Sequence, residues 1–88
     1  MGQMTRDEAL SVLTRDNPKV KAADLVMYAD AFVEYQAAQK NIGEHGSIVF
    51  HPRTGSPIDN PFVRVRDRAG ALMRRMKIVK ADAIWREI

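Results

Sequence analysis

Cysteine is absent from the 88 residues of the chain, and this excludes disulfides, thiolate metal sites and a cysteine nucleophile. Long apolar runs are absent too, since none approaches the roughly 20 residues that a membrane-spanning helix needs. Residues 1–6 contain no apolar signal-peptide core. These absences predict a soluble intracellular protein with no membrane partner.

Groups that would support catalysis are scarce. The two histidines, His45 and His51, match no zinc-ligand spacing. Residues 43–46 lack the Lys-Ser/Thr pair that completes a phosphate-binding loop, and the serines have no spacing that suggests an activated nucleophile. We therefore expect no enzyme activity, no metal and no cofactor.

Positive charge is present but unevenly distributed. Fourteen Lys and Arg against 11 Asp and Glu give a formal net charge of +3. Residues 1–60 carry six basic and eight acidic side chains, a balance of −2, whereas residues 61–88 carry eight and three, a balance of +5. A basic segment favours a polyanion through counterion release, although a charge run can also serve only to keep a protein soluble.

Two helices are predicted in the first half of the chain. Thr5-Arg6-Asp7-Glu8 has the T-x-x-E form of a capping box and predicts a first helix over residues 5–15. Asp16-Asn17-Pro18 ends it, because proline cannot continue a helix, and Asn17 and Pro18 suit the cap and first turn of the next helix. A long second helix is predicted over residues 19–44, with Gly43 and Gly46 as its stop. Its apolar residues recur at helical spacing: Leu25, Tyr28, Phe32, Tyr35 and Ile42.

The second half predicts a hairpin and a basic helix. A β-prone run followed by turn formers predicts a small β-hairpin or ordered loop over residues 46–60. Asn60 and Pro61 suit the cap and first position of a third helix over residues 61–78. Its apolar seam is expected at Phe62, Val65, Ala69, Leu72, Met76 and Val79. Residues 80–88 predict a short C-terminal helix, with Trp85 and Ile88 folded onto the core, so the fold class is a single, mainly α domain.

The basic side chains of the third helix are the candidate DNA-binding residues, because the planar guanidinium makes paired charged hydrogen bonds to phosphate. Arg64, Arg68 and Arg75 share one helix face, and Arg66, Arg74 and Lys77 lie on its flank. Lys19 and Lys21, near the start of the long helix, are a second candidate.

The order of these elements resembles the phage terminase small-subunit family. The run of acidic, apolar and aromatic residues at 23–35 is similar to the long helix of that family. A glycine-containing break at 42–49, a turn at 54–57 and the Asn60-Pro61-Phe62 helix start follow in the same order. The similarity covers about residues 20–85.

The resemblance implies a non-catalytic, ring-forming subunit of the viral DNA-packaging motor in the host cytoplasm. Such a subunit binds the packaging-initiation site on double-stranded viral DNA and recruits or regulates the large ATPase and nuclease subunit. The apolar residues of the two main helices would then form the monomer core and the subunit interface: Leu25, Tyr28, Phe32, Tyr35, Ile42, Phe62, Val65, Leu72 and Met76.

Two other functions fit the sequence. The chain could be a helical protein–protein adaptor without DNA binding, in which the apolar stripe docks a partner. A small helix-turn-helix regulator ranks third, because the second helix is too long for a typical recognition helix.

Overall fold

The computed structural model describes residues 3–76 and 82–85 of the chain. Along the sequence, the elements of this part are α1 (Arg6–Asp16), α2 (Ala22–His45), β1 (Ile48–Phe50), β2 (Pro57–Asp59), α3 (Pro61–Arg75) and α4 (Asp82–Trp85). The predicted fold class, mainly α with a small hairpin, is confirmed. Residues 77–81 and 86–88, which include the predicted positions Lys77, Val79 and Ile88, lie outside the described residues. No helix in the described ranges is long and apolar enough to cross a bilayer.

The start of α1 is a capping box, as the sequence predicts. The Thr5 hydroxyl accepts a hydrogen bond from the Glu8 amide, and the Thr5 amide donates to the Glu8 carboxylate, both at 3.2 Å. Ala9 and Leu13, one turn apart, are fully buried against α2.

The turn between α1 and α2 differs from the expectation that Asn17 caps the second helix. Asn17 is instead the C-cap of α1, and its side-chain amide donates back to the Leu13 carbonyl at 3.0 Å. Residue 21 is the N-cap of α2 and makes no side-chain capping bond. The long helix therefore begins at Ala22 rather than residue 19, because Asn17 is used by the preceding helix.

The end of α2 lies at His45, one residue beyond the predicted end at residue 44. Gly43 continues the helix, whereas Gly46 has φ +85° and its amide donates to the Ile42 carbonyl at 2.7 Å. Only glycine adopts such a φ without steric penalty, so Gly46 alone is the glycine stop.

The hairpin and α3 follow from Gly46. Strands β1 and β2 are antiparallel, with Ile48 opposite Asp59, Val49 opposite Ile58 and Phe50 opposite Pro57. Asn60 caps α3 as predicted: its side-chain oxygen Oδ1 accepts a hydrogen bond from the Phe62 amide at 3.0 Å, and Pro61 occupies the first turn. The same side chain donates to Asn41 at 3.0 Å and to the Gly46 carbonyl at 2.9 Å, which ties the start of α3 to the end of α2.

The core is built around α2, against which α1 and α3 both pack, while α4 lies against α1. Its largest fully buried side chains are Phe32, Leu13 and Ile84. Trp85 folds back as predicted and meets Phe32 and Tyr35 edge-on, with ring centroids 5.1 and 5.3 Å apart. The four-residue α4 thus closes one groove between α1 and α3.

Gln36 is a buried polar residue that the sequence pattern does not single out. It is 3% exposed, and its amide accepts from the Met4 amide at 3.1 Å and donates to the Met4 carbonyl. Gln3 donates to the Gln36 carbonyl at 2.9 Å. These hydrogen bonds hold the segment before α1 against α2.

Replacing Gln36 with leucine is expected to lower the free energy of unfolding by about 1–3 kcal/mol, because both Met4 backbone groups lose their partner. Chemical denaturation measures the change. Gln39→Leu on the exposed side of the same helix is the control and is expected to stay within about 0.5 kcal/mol. Equal effects of the two substitutions would contradict a role for the Met4 bonds.

Candidate nucleic-acid interface

Three arginines form the outer face of α3. Arg64, Arg68 and Arg75 are spaced by four and seven residues, so they share one side of the helix. All three are exposed, and they lie opposite the buried side of the helix. We call this set the arginine face.

The buried side of α3 centres on Ala69, Gly70 and Met73. This centre is rotated from the apolar seam read off the sequence, and Gly70 and Met73 were not in that seam. Val65, Leu72 and Met76 lie at its edge and are half-buried, and Phe62 is 39% exposed. Of the apolar positions predicted along α2, Leu25, Tyr28 and Phe32 are buried, whereas Tyr35 and Ile42 are half-buried.

Gly70 fits the rotation of α3, because α3 packs against Tyr35 of α2 at this residue. A Cβ atom built on Gly70 would lie 3.5 Å from Tyr35 Cε2 and 3.3 Å from the Arg74 guanidinium. Glycine inside a helix costs about 1 kcal/mol relative to alanine, so its presence in the interior was the one sequence signal for a close helix contact. The contact turns the arginine face toward solvent.

Two of the candidate basic residues are neutralised by carboxylates. Arg66 pairs with Asp67 at 3.2 Å and donates to Gln39 at 3.4 Å. Arg68 reaches Glu34 of α2 at 3.5 Å. Exposed pairs of this kind contribute little stability, but each reduces the positive potential that a phosphate would meet.

Other basic side chains make no ion pair among the described residues. Arg64, Arg74 and Arg75 on α3 are in this group, as are Lys19 and Lys21 in the turn before α2. Arg64 lines an open groove that Asp59 and Asp67 also line, so its local potential is the least positive of the three.

The two candidate regions lie toward the same end of the molecule. Asn60 meets Asn41 and Gly70 meets Tyr35, so α3 runs antiparallel to α2 and its last turn approaches the start of α2. The structure therefore brings Arg74 and Arg75 toward the end that carries Lys19 and Lys21. Lys77 lies outside the described residues.

The remaining polar groups that the structure describes make local contacts. His51 accepts a hydrogen bond from the Arg53 amide at 3.1 Å and so stabilises the hairpin loop. No group of three His, Asp or Glu side chains within residues 3–76 and 82–85 could hold a metal ion. A hydrogen bond to Asp16 and the charge of that carboxylate raise the pKa of the exposed Arg15.

This arrangement defines a small helical protein with a cationic helix face and a projecting hairpin. A family model described as "Phage terminase, small subunit" matches residues 5–78, and the chain belongs to that family. Its role is therefore in phage DNA packaging. No significant match is found among curated proteins or among solved structures.

The position of the arginine face can be tested at Gly70. Gly70→Ala is expected to be neutral or to stabilise the protein by up to about 1 kcal/mol, since the flexible Arg74 side chain can move away and alanine favours the helix. Gly70→Leu is expected to destabilise it by about 1–3 kcal/mol, because the larger side chain overlaps Tyr35. Thermal and denaturant unfolding compare the two, and equal tolerance of leucine would refute the close contact.

Proposed function

We propose that this chain is the non-catalytic, DNA-binding component of a phage packaging motor. It assembles into a homo-oligomeric ring in the host cytoplasm, binds the packaging-initiation site on double-stranded viral DNA, and recruits or regulates the large terminase subunit. Family membership over residues 5–78 supports the packaging role. The exposed arginine face of α3 is the observation that carries the DNA-binding part.

Phosphate contacts explain affinity better than site selection. Arg64 and Arg75 lie about 16 Å apart along the helix at 1.5 Å per residue, so they reach separate phosphates. Contacts to phosphate position a protein on DNA but do not read bases. Site preference would then come from DNA shape or bending when several copies act together.

Assembly compensates for the weakness of one patch. Within the part of the chain that the structure describes, two of the candidate arginines, Arg66 and Arg68, are shared with carboxylates. Linked copies bind a continuous DNA with an avidity that exceeds the affinity of each site.

The two other functions receive different support. An adaptor without DNA binding is favoured by the apolar side chains exposed on the hairpin, Ile48 and Phe50. A helix-turn-helix regulator is disfavoured, because α2 is 24 residues long and is the central helix against which α1 and α3 both pack, unlike a recognition helix that lies in a major groove.

Neutralising the arginine face is expected to weaken DNA binding. The triple change Arg64→Gln, Arg68→Gln and Arg75→Gln removes three charges, which lowers the slope of log K against log salt concentration by up to about 2.7 per subunit bound. A mobility shift or fluorescence anisotropy titration at several salt concentrations measures both affinity and slope, on packaging-site DNA and on unrelated DNA.

Arg15→Gln with Lys40→Gln is the control, since both residues are exposed on other helices. The control is expected to keep the parent slope. A triple variant that binds as the parent does would show that DNA contacts another surface, and a parent without affinity at low salt would favour the adaptor.

A further inference from the structure

The hairpin end of the molecule exposes a cluster of large apolar side chains. Ile48 is 53% exposed, Phe50 71%, Ile58 36% and Phe62 39%. Ile48 and Phe50 are two apart on β1, so they share one face of the hairpin. Ile58 is opposite Val49 and therefore lies on the other face. We call Ile48 and Phe50 the hairpin patch.

The hairpin patch is not covered by the chain's own helices. The hairpin is held at its base by the Asn60 bonds, and its few other contacts leave both faces open. Two strands alone are marginal in water, so burying the exposed apolar face of β1 against a partner would stabilise the hairpin.

A second exposed surface runs along α2. Ala23, Met27, Asp30, Glu34 and Ala37 recur at steps of four and three, so they share one helix face, and all five are exposed. Arg6 of α1 pairs with Asp30 at 2.7 Å and Arg68 of α3 pairs with Glu34 at 3.5 Å, one on each side of this stripe. We call it the open stripe of α2.

The open stripe lies on one side of α2, and on the other side the chain covers the helix with its own α4. On the other side of α2, α4 closes the space between α1 and α3 with Ile84 and Trp85. On the open side no described element covers Met27, which is 50% exposed. Ala23, one turn before Met27, leaves room for an inserted side chain.

We propose that the hairpin patch of one copy docks on the open stripe of α2 in the next copy. The inference rests on the proposed assembly and names its contact surfaces. The two surfaces hold the three most exposed large apolar side chains of the described residues, Phe50, Ile48 and Met27. In this contact Phe50 supplies an aromatic anchor, and Ala23 and Met27 supply an apolar floor. Arg53 of the hairpin loop would pair with Asp24 beside that floor; both are exposed, and neither makes an ion pair within residues 3–76 and 82–85.

The geometry makes this contact head-to-tail. Met27 and the hairpin lie at opposite ends of α2, about 27 Å apart for 18 residues at 1.5 Å each. Two different patches on one chain form a heterologous interface, which closes into a ring or continues as a filament.

Two single substitutions test the contact. Phe50→Asp disables the hairpin patch and Met27→Asp disables the open stripe; each is expected to weaken the subunit contact about 30-fold or more. Thr14→Asp and Ser11→Asp, both on α1, are the matched controls, because both positions are exposed and lie outside the two surfaces. Native mass spectrometry and light scattering at fixed concentration measure assembly, and far-UV circular dichroism checks the fold.

Mixing the two disabled chains gives the sharpest result. Each keeps one intact surface, so an equal mixture is expected to form 1:1 dimers and nothing larger, while each alone is a monomer and both controls assemble as the parent does. Dimers formed by Met27→Asp alone would mean that hairpins meet each other, and they would overturn the inference.

Measured masses distinguish a wrong assignment of the contact surfaces from a wrong assignment of the assembly itself. If the parent forms an oligomer and both disabled chains keep its mass, the assignment of surfaces is wrong and the assembly stands. If the parent is a monomer at about 100 µM, both fail, and the salt-dependent DNA titration still decides the DNA-binding part separately.

Discussion

Burial of Phe32 against side chains from all the other helices is the interaction on which the rest of the structure depends. Phe32 is fully buried midway along α2, and the cluster around it takes Leu13 from α1, Met73 from α3 and Ile84 from α4. A chain this short buries little apolar surface, so one well-packed centre has to orient three helices. The Trp85 ring, which packs edge-on against Phe32, completes that centre from α4. The packing of α1 and α3 on α2 decides which side of α2 stays exposed as the open stripe and which side of α3 points to solvent as the arginine face.

Local signals in the sequence predict where several elements start and stop. The capping box at Thr5, the Asn60-Pro61 start and the glycine stop at Gly46 depend on backbone chemistry within a few residues. Asn17 shows the limit of such signals, because the same side chain suits the end of one helix and the start of the next. The structure uses it at the end of α1, and nothing within a few residues decides between the two.

The rotation of α3 and the charge balance of its arginines could not be predicted in the same way. The seam of Val65, Leu72 and Met76 fits helical spacing as well as the observed centre at Ala69, Gly70 and Met73, and the choice depends on how closely Tyr35 approaches. Likewise, the contacts of Arg66 with Gln39 and of Arg68 with Glu34 join residues 27 and 34 positions apart. A balance of +5 in residues 61–88 therefore overstates the potential available to a phosphate.

The ion pair that lowers the positive charge of the arginine face also connects this face to α2. Glu34 lies in the open stripe and pairs with Arg68 of the arginine face, so a subunit seated on the stripe would approach the same carboxylate. Excluding water there strengthens the Glu34–Arg68 attraction, because Coulomb energy rises as the local dielectric falls. Assembly would thereby fix Arg68 toward α2 and leave Arg64 and Arg75 as the mobile cations of the face. In an assembled state, DNA affinity would then depend more on the number of copies than on the formal charge of one chain.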